Sequence, residues 1–558
     1  MAILIPPPVK GQNSIFLWQE ALAEAIKSND KEICFSPGVY EFFPEGCSQR
    51  YCYFSNNDEG VKTICLDLVN LSDIKIIGDN TQLFFHGRIS PIVADNCQNL
   101  AISNLSIDFE DSFVSDADVV EVDGDVTYLK ISGKHFVRDG KIIFTDDFYN
   151  NLSGRIHVYS YDTEKKEVIW QKGANCTIFN SNVVVKDNLV GVTGLVGKIK
   201  SDALILKHEA RLCPGVVFNN CKDVVVNNVT IHHAAGMGLL AQVCENVALE
   251  GVKVAPNNRR CSASDDALHI MECRGKIRLN KCQLSGTLDD SLNVHGMYFK
   301  LKLREPGWKY YYLKAGHFQQ QGIFAAHTGD TVELLKNDTL KSYGTIKLTN
   351  TWQINKSQIF VEFDESTLPK EYEFGDVARI LDAANASLEI TNCSFVSLNG
   401  RGVLASGLKN VVIKDNYFHC AGAGVFVSGD GRYWYESGPV ENMEISNNTF
   451  NNCCYNSNGA TRETIAVFPE IHKFVPNFFY HGNFSITNNK IITNKRCLIA
   501  FTSVKEATVK GNSFILDNTY TFNPPATVAY SFTTKDFPSV AYQYCDKVVC
   551  ENNENFWV

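Results

Sequence analysis

The chain has 558 residues, 52 basic against 62 acidic side chains (formal charge −10), 44% hydrophobic residues, 19 Cys and 50 Asn. That length calls for several domains or one long repetitive architecture, and the apolar content excludes a disordered chain. The acidic balance argues against a nucleic-acid partner, and no apolar run approaches the roughly 18 residues of a membrane span.

The N-terminus has a short apolar start without a basic region and long hydrophobic segment behind it. The protein is therefore expected to be cytoplasmic if that end is native, or to have had a signal removed. Ser14 is placed to cap a helix from Ile15 to about Lys27, whose apolar stripe is Ile15, Trp18, Leu22, Ala25 and Ile26. This helix would plug the open end of a solenoid, and ICFSPGVYEF would enter the first coil through a Pro37-Gly38 turn.

From Ile76 onward one pattern recurs: a small residue or Cys, then Asn or Asp, a β-branched centre, and Asn two places on. NCQNLAISNLSI is centred on Ile102, NCKDVVVNNVTI on Val226, VCENVALEGVKV on Leu249 and CRGKIRLNKCQL on Leu279. Further copies centre on Ile390, Ile413, Ile445, Ile486 and Val509. Several steps equal 23 residues, and others look like one coil with a loop added. Short strands at this period, punctuated by Asn and Gly, predict a right-handed parallel β-helix, an all-β fold. A leucine-rich horseshoe would need repeated LxxLxL spacing, which is absent. Cys97, Cys221 and Cys244 each stand five residues before a centre, as inward stacks of like residues should. The odd Cys count, with no CxxC pairs at zinc spacing, indicates core fillers rather than disulfides or a metal site. Asn at the corners can adopt left-handed geometry and ladder its amides between coils. Sequons such as Asn104-Leu-Ser are by-products of that pattern.

Two stretches lack it: 124 residues separate Ile102 from Val226, and 111 separate Leu279 from Ile390. VVEVDGDVTYLKI, with an Asp123-Gly124 turn, and WKYYYLKAG read as antiparallel hairpins. The expected division is therefore cap and first coils over 1–116, a small β domain over 117–203, central coils over 204–298, a second β domain over 299–381, and final coils over 382–558. An insert on one face of a solenoid commonly walls its binding site.

The chemistry is sought in an internal match one coil apart: Asp265-Asp266-Ala-Leu-His269 against Asp289-Asp290-Ser-Leu-Asn293. Neighbouring strands lie ~4.8 Å apart, so Asp266 and Asp290 would be stacked, mutually repelling carboxylates on the outside of the helix. One such Asp is ordinarily a turn former; two pairs in register point to a shared proton, cation or water. Asp289, one position round the coil, would stand apart from the facing pair. Acid and base across a glycosidic bond need such an arrangement, ~6.5–9.5 Å apart in an inverting enzyme. Upstream, His232-His233 precede glycines that would let a ligand approach the backbone. His295, Arg401, Asp430, Trp434 and Glu436 follow, and a Trp beside a carboxylate can form a platform for a sugar face.

HHAAGMGLLAQ, SDDALH, LDDSLNVHGMY, NGRGVL and WYESG together resemble glycoside hydrolase family 110. The resemblance implies an inverting exo-α-1,3-galactosidase acting on terminal galactose, of the blood-group B or linear type, with no cofactor or metal. The three acids are also similar in disposition to those of family 28 polygalacturonases. Carried onto this chain, Asp289 is the general acid, while Asp266 and Asp290 activate water. His232, His233, Asp265, His269, Asn293, His295, Arg401, Asp430, Trp434 and Glu436 are the candidates for holding the sugar. The implied partner is a glycan with terminal α-1,3-galactose, and a homo-oligomer is compatible with the sequence. The alternatives are a β-helix polysaccharide lyase or polygalacturonase-like hydrolase, and a glycan-binding protein without catalysis.

Overall fold

The computed structural model describes residues 2–28, 30–145, 155–169, 175–179, 183–208, 211–303, 311–373, 375–455, 463–494, 498–520 and 538–556. Its scaffold is a right-handed parallel β-helix, the sense that twisted parallel strands favour. The repeat centres pair with one another, coil upon coil. Ile3, Ile33, Ile76, Ile102, Val226, Leu249, Leu279, Ile390, Ile413, Ile445, Ile486, Val509 and Cys550 form one row of parallel partners. From Ile33 to Val509 every member of the row is buried. Alternate residues of each strand therefore face one continuous core.

Two residues past the centre the chain must turn sharply. Asn104, Asn228, Asn392, Asn447, Asn488 and Asn552 sit there with φ between 51° and 57°, a region Asn tolerates. Exposed amide contacts join such corners in the early coils, as Asn96 Nδ2 to Asn70 Oδ1 at 2.6 Å and Asn228 Nδ2 to Asn104 Oδ1 at 3.4 Å, and a buried amide ladder lies one residue further on in the later coils. Asn416, Asn448, Asn489 and Asn512 each donate to the next coil's Asn Oδ1, at 2.9–3.0 Å. Earlier coils carry Leu105, Val229, Val252, Cys282 and Cys393 at that place, all buried. On another side Cys97, Cys221 and Cys244 stack, with backbone N–H groups donating to the next Sγ at 3.4 Å. No disulfide occurs among the described cysteines.

The helix Ile15–Lys27 covers the N-terminal end, burying Ile15, Trp18, Ala21 and Ala25. Ile26 is exposed, so the stripe is set by Ala21 instead. Ser14 makes no side-chain cap; Asn13 Oδ1 accepts the Ile15 N–H instead, at 3.2 Å. No described helix is long and apolar enough to cross a membrane.

Two antiparallel sheets interrupt the solenoid without disturbing its register. The first has eight strands, starting with Val114–Asp123 and ending with Ala203–Lys207. Its first hairpin turns at Gly124-Asp125, because Asp123 pairs with Val126. The second has seven strands between Phe299–Leu303 and Val377–Ile380. Of WKYYYLKAG, Tyr311–Ala315 is a strand, and Trp308, Lys309 and Tyr310 lie outside the described residues. Val114, Tyr161 and Ile205 of the first sheet pack on Cys261, Leu288 and Leu398 of the coils. Phe299, Leu313 and Val332 of the second share a core with the coil residues Val243 and Met271. The paired aspartates lie on coils contacted by both sheets.

Candidate active site

The two coils carrying the Asp pairs stack with His269 opposite Asn293 and Leu268 opposite Leu292. The leucines face the core; His269 and Asn293 project from the outer face, beneath a cavity of about 280 Å³. Asp266, Asp289, Asp290, Asn293, Arg401, Asp430, Trp434 and Glu436 line it, together with Asn56, Arg211, Leu404, Phe426, Ser428, Tyr433 and Glu470.

Oxygens of Asp266, Asp289 and Asp290 lie within 4.8 Å of one another. Asp289 is therefore not set apart from the other two as its sequence position suggested. The expected repulsion between Asp266 and Asp290 is relieved by hydrogen bonds. The Asp290 N–H donates to Asp266 Oδ1 at 3.0 Å, and Asp266 Oδ2 meets His269 Nδ1 at 2.7 Å. The Asp290 carboxylate is held by Arg401, whose Nε and Nη2 donate to its two oxygens at 2.8 Å, with the Arg401 N–H adding a third bond at 2.7 Å. Gly400 makes that close approach possible: a Cβ there would lie 2.2 Å from the Asp289 carbonyl carbon. The NGRGVL motif is thus a glycine that admits the preceding coil and an arginine that grips its acid.

The acids differ in charge state. Burial, then Asp290, pushes Asp289 up to about 6, with Arg211 pulling it back. Arg211 Nη2 lies 3.3 Å from Asp289, whose side chain is one-third exposed to the cavity. Burial, then Asp289 and Asp290, pushes Asp266 well above the usual carboxylate range. Burial alone would raise Asp265, but Lys207 and Arg211 outweigh it and hold Asp265 below that range. Lys207 Nζ and Arg211 Nε approach Asp265 at 3.1 and 3.3 Å.

Five residues expected at the sugar are outside the cavity lining. Asp265 is 1% exposed and is spent on its two cations. His233 stacks on Phe113 and accepts that residue's N–H at Nε2, 3.0 Å away, and burial lowers its pKa to about 3. His232 bonds the Ala255 carbonyl at 3.1 Å. The glycines after them serve packing: a Cβ on Gly238 would lie 2.6 Å from the Ala267 oxygen. His269 and His295 lie behind the acids, buried and bonded to each other at 3.0 Å. Asp430 lines the cavity, but its carboxylate accepts the N–H groups of Arg432, Tyr433 and Trp434 and so shapes the loop.

That loop forms the upper wall. Trp434 packs on His317 of the second sheet, with ring centroids 4.8 Å apart, and its carbonyl accepts from Gln320 Nε2 at 3.0 Å. Glu436 pairs in a short antiparallel ladder with Met297, which points it at the cavity floor. Asn293 Oδ1 and Ser428 Oγ are buried without a hydrogen-bond partner beside this polar space. Such atoms invite hydroxyl groups, since an unmet polar atom costs about 1–3 kcal/mol. The first sheet contributes Lys207 and leads, through the chain beyond it, to Arg211. Arg211 went unnoticed in the sequence because it belongs to no repeat. A signal was present nonetheless: four acids on two adjacent coils demand more cations than the one Arg401 supplies.

Residues 312–378 match the family described as GLAA-B beta-barrel domain II. Over 520 residues the chain is 27% identical to alpha-1,3-galactosidase A of Shewanella woodyi, covering 89% of this chain and 84% of that protein. It is 24% identical over 558 residues to alpha-1,3-galactosidase B of Bacteroides thetaiotaomicron, covering 97% and 88%. Alpha-1,3-galactosidase A of Bacteroides fragilis is 26% identical over 527 residues, covering 92% and 86%. The likeness covers most of the chain, and the chain is a homologue of these bacterial α-1,3-galactosidases, consistent with glycoside hydrolase family 110.

Proposed function

We propose that the chain is an exo-acting α-1,3-galactosidase that hydrolyses terminal α-1,3-linked galactose with inversion. The observation that carries the reading is the convergence of three carboxyls and two guanidiniums at the floor of a cavity sized for a terminal sugar. Around it stand an aromatic wall and buried oxygens without partners.

Asp289 is the general acid. A carboxyl pushed up to about 6 is protonated in mildly acidic solution and can still release its proton to a leaving oxygen. Asp266 and Asp290 hold the attacking water. Arg401, locked on Asp290, keeps that carboxylate oriented toward the water, and negative charge on the acids favours the oxocarbenium-like centre as it forms. Asn293, Ser428 and Glu436 take galactose hydroxyls, and Trp434 lies against the C–H face of the ring.

One observation favours a second reading. Acid oxygens within 4.8 Å are closer than the ~6.5–9.5 Å typical of inversion and nearer the ~5–5.5 Å typical of retention. NMR of the first anomer released from an α-1,3-galactosyl disaccharide decides between them. β-Galactose is expected; initial α-galactose would replace inversion by a covalent intermediate, and no release would leave a binding protein.

A further inference from the structure

Behind the acids runs a line of hydrogen bonds that the reaction as written does not use. Asp266 Oδ2 lies 2.7 Å from His269 Nδ1, and His269 Nε2 lies 3.0 Å from His295 Nε2. His295 Nδ1 lies 2.8 Å from the Gly296 carbonyl. His295 Nε2 is also 3.8 Å from Glu436 Oε1, and Glu436 opens into the cavity. Both imidazoles and Asp266 are buried.

The bonds themselves count the protons. A carbonyl only accepts, so His295 Nδ1 carries a hydrogen. The nitrogen–nitrogen contact needs one hydrogen, and the imidazole–carboxyl contact needs another. Three hydrogens are then shared by two rings and a carboxyl. Two neutral imidazoles and a carboxylate would supply only two. The line holds one stored proton.

Resting on the hydrolytic reading above, we propose that Asp266, His269, His295 and Glu436 form a proton relay that lets a neutral Asp266 act as the base. Asp266 takes the water's proton on Oδ1 while releasing the one on Oδ2. The water oxygen bonds to the anomeric carbon. The glycosidic bond breaks with its electron pair on the leaving oxygen, which takes the Asp289 proton. The Oδ2 proton passes to His269 Nδ1, and the His269 Nε2 proton passes to His295 Nε2. His295 becomes an imidazolium opposite Glu436; once the products leave, the shifts reverse along the same line and Asp266 Oδ1 gives its proton through the cavity to Asp289, which resets both. His269 and His295 touch no substrate and are positioning residues.

The surroundings agree with this placement. Burial, then His295 and Arg211, keeps His269 far below the usual imidazole range, so the stored proton rests on Asp266. The charged groups facing the line are Asp289, Asp290 and Asp265 from the two Asp turns, Arg211 beyond the first sheet, and Glu436. A protonated carboxyl is ordinarily useless as a base; one with an outlet on its far oxygen is not.

Two measurements test the relay. Nitrogen-15 NMR of histidine-labelled wild-type protein, without substrate, should show His295 protonated at Nδ1 and a hydrogen bond joining the two Nε2 atoms. A proton fixed on His295 Nε2 with Nδ1 bare would overturn the count. His295→Gln can still hydrogen-bond His269 but cannot take up a proton. It should lose about 10²-fold in kcat, keep KM within about twofold and show an altered pH profile. A kcat within about twofold of wild type at every pH would overturn the transfer. Failure of the wild type on every α-1,3-galactoside would instead remove the proposed reaction and the transfer with it. The nitrogen spectrum would still decide the stored proton.

Discussion

The coils that carry Asp265-Asp266 and Asp289-Asp290 are near duplicates in sequence and in register, yet they assign their carboxyls to different tasks. In the first coil the leading Asp is sealed under Lys207 and Arg211 and stays ionised. In the second it is one-third exposed, shares only Arg211 and is pushed up to about 6. The trailing Asp meets a histidine in the first coil and an arginine in the second. Backbone repetition places the acids; Lys207 and Arg211 from outside the repeat, with burial and with His269 and Arg401 on the coils, decide which are protonated and which are locked.

The largest expected effect comes from the leading Asp of the second coil. Asp289→Asn should lower kcat/KM by about 10³–10⁴-fold, checked on a chromogenic α-galactoside and on an α-1,3-galactosyl disaccharide, with Tm little changed. The matching change in the first coil should do the reverse. Asp265→Asn leaves two buried cations without their anion and should cost about 3–5 kcal/mol of stability in denaturant unfolding. If both variants lost activity alone, the contrast between the coils would be wrong.

The pH profile is the next test. Asp289 works only when protonated, so kcat/KM should fall about tenfold per unit as pH rises through about 6. Arg211 pulls that value down, so Arg211→Gln should move the falling limb to higher pH. A limb that stays in place would separate Arg211 from the acid. Linkage has the same sign: a folded value above the unfolded one gives a contribution fully present below about 4 and lost as pH passes about 6. The smallest effect lies outside the pair. Trp434→Ala should raise KM about tenfold by removing one sugar face, with kcat nearly kept, as measured by steady-state kinetics.

The coil register could be read from sequence to the residue, because a period near 23 leaves one way to stack like on like. Ile102 finds Val226, and Leu279 finds Ile390, across more than a hundred intervening residues in each case. The Asp pairs were visible for the same reason. The amide contacts expected at the left-handed corners are there, as from Asn228 to Asn104, and a second, buried ladder stands one residue later, where an Asn side chain can point inward and reach the next coil. The histidines misled because pattern alone cannot separate a stacked ring such as His233, or a ring behind the acids such as His269, from one that meets solvent. Arg211 and Lys207 escaped because they come from outside the repeating frame.

That unbroken stacking across the inserts has a thermodynamic corollary. Spanning 124 rather than 23 residues between adjacent coil centres adds only about 1.5 kcal/mol of loop-closure entropy, since that cost grows with the logarithm of length. A detour of this kind costs less than many single core truncations. The rim of the cavity can be lengthened, exchanged or remodelled for other glycans while the stacked centres beneath it keep the same partners.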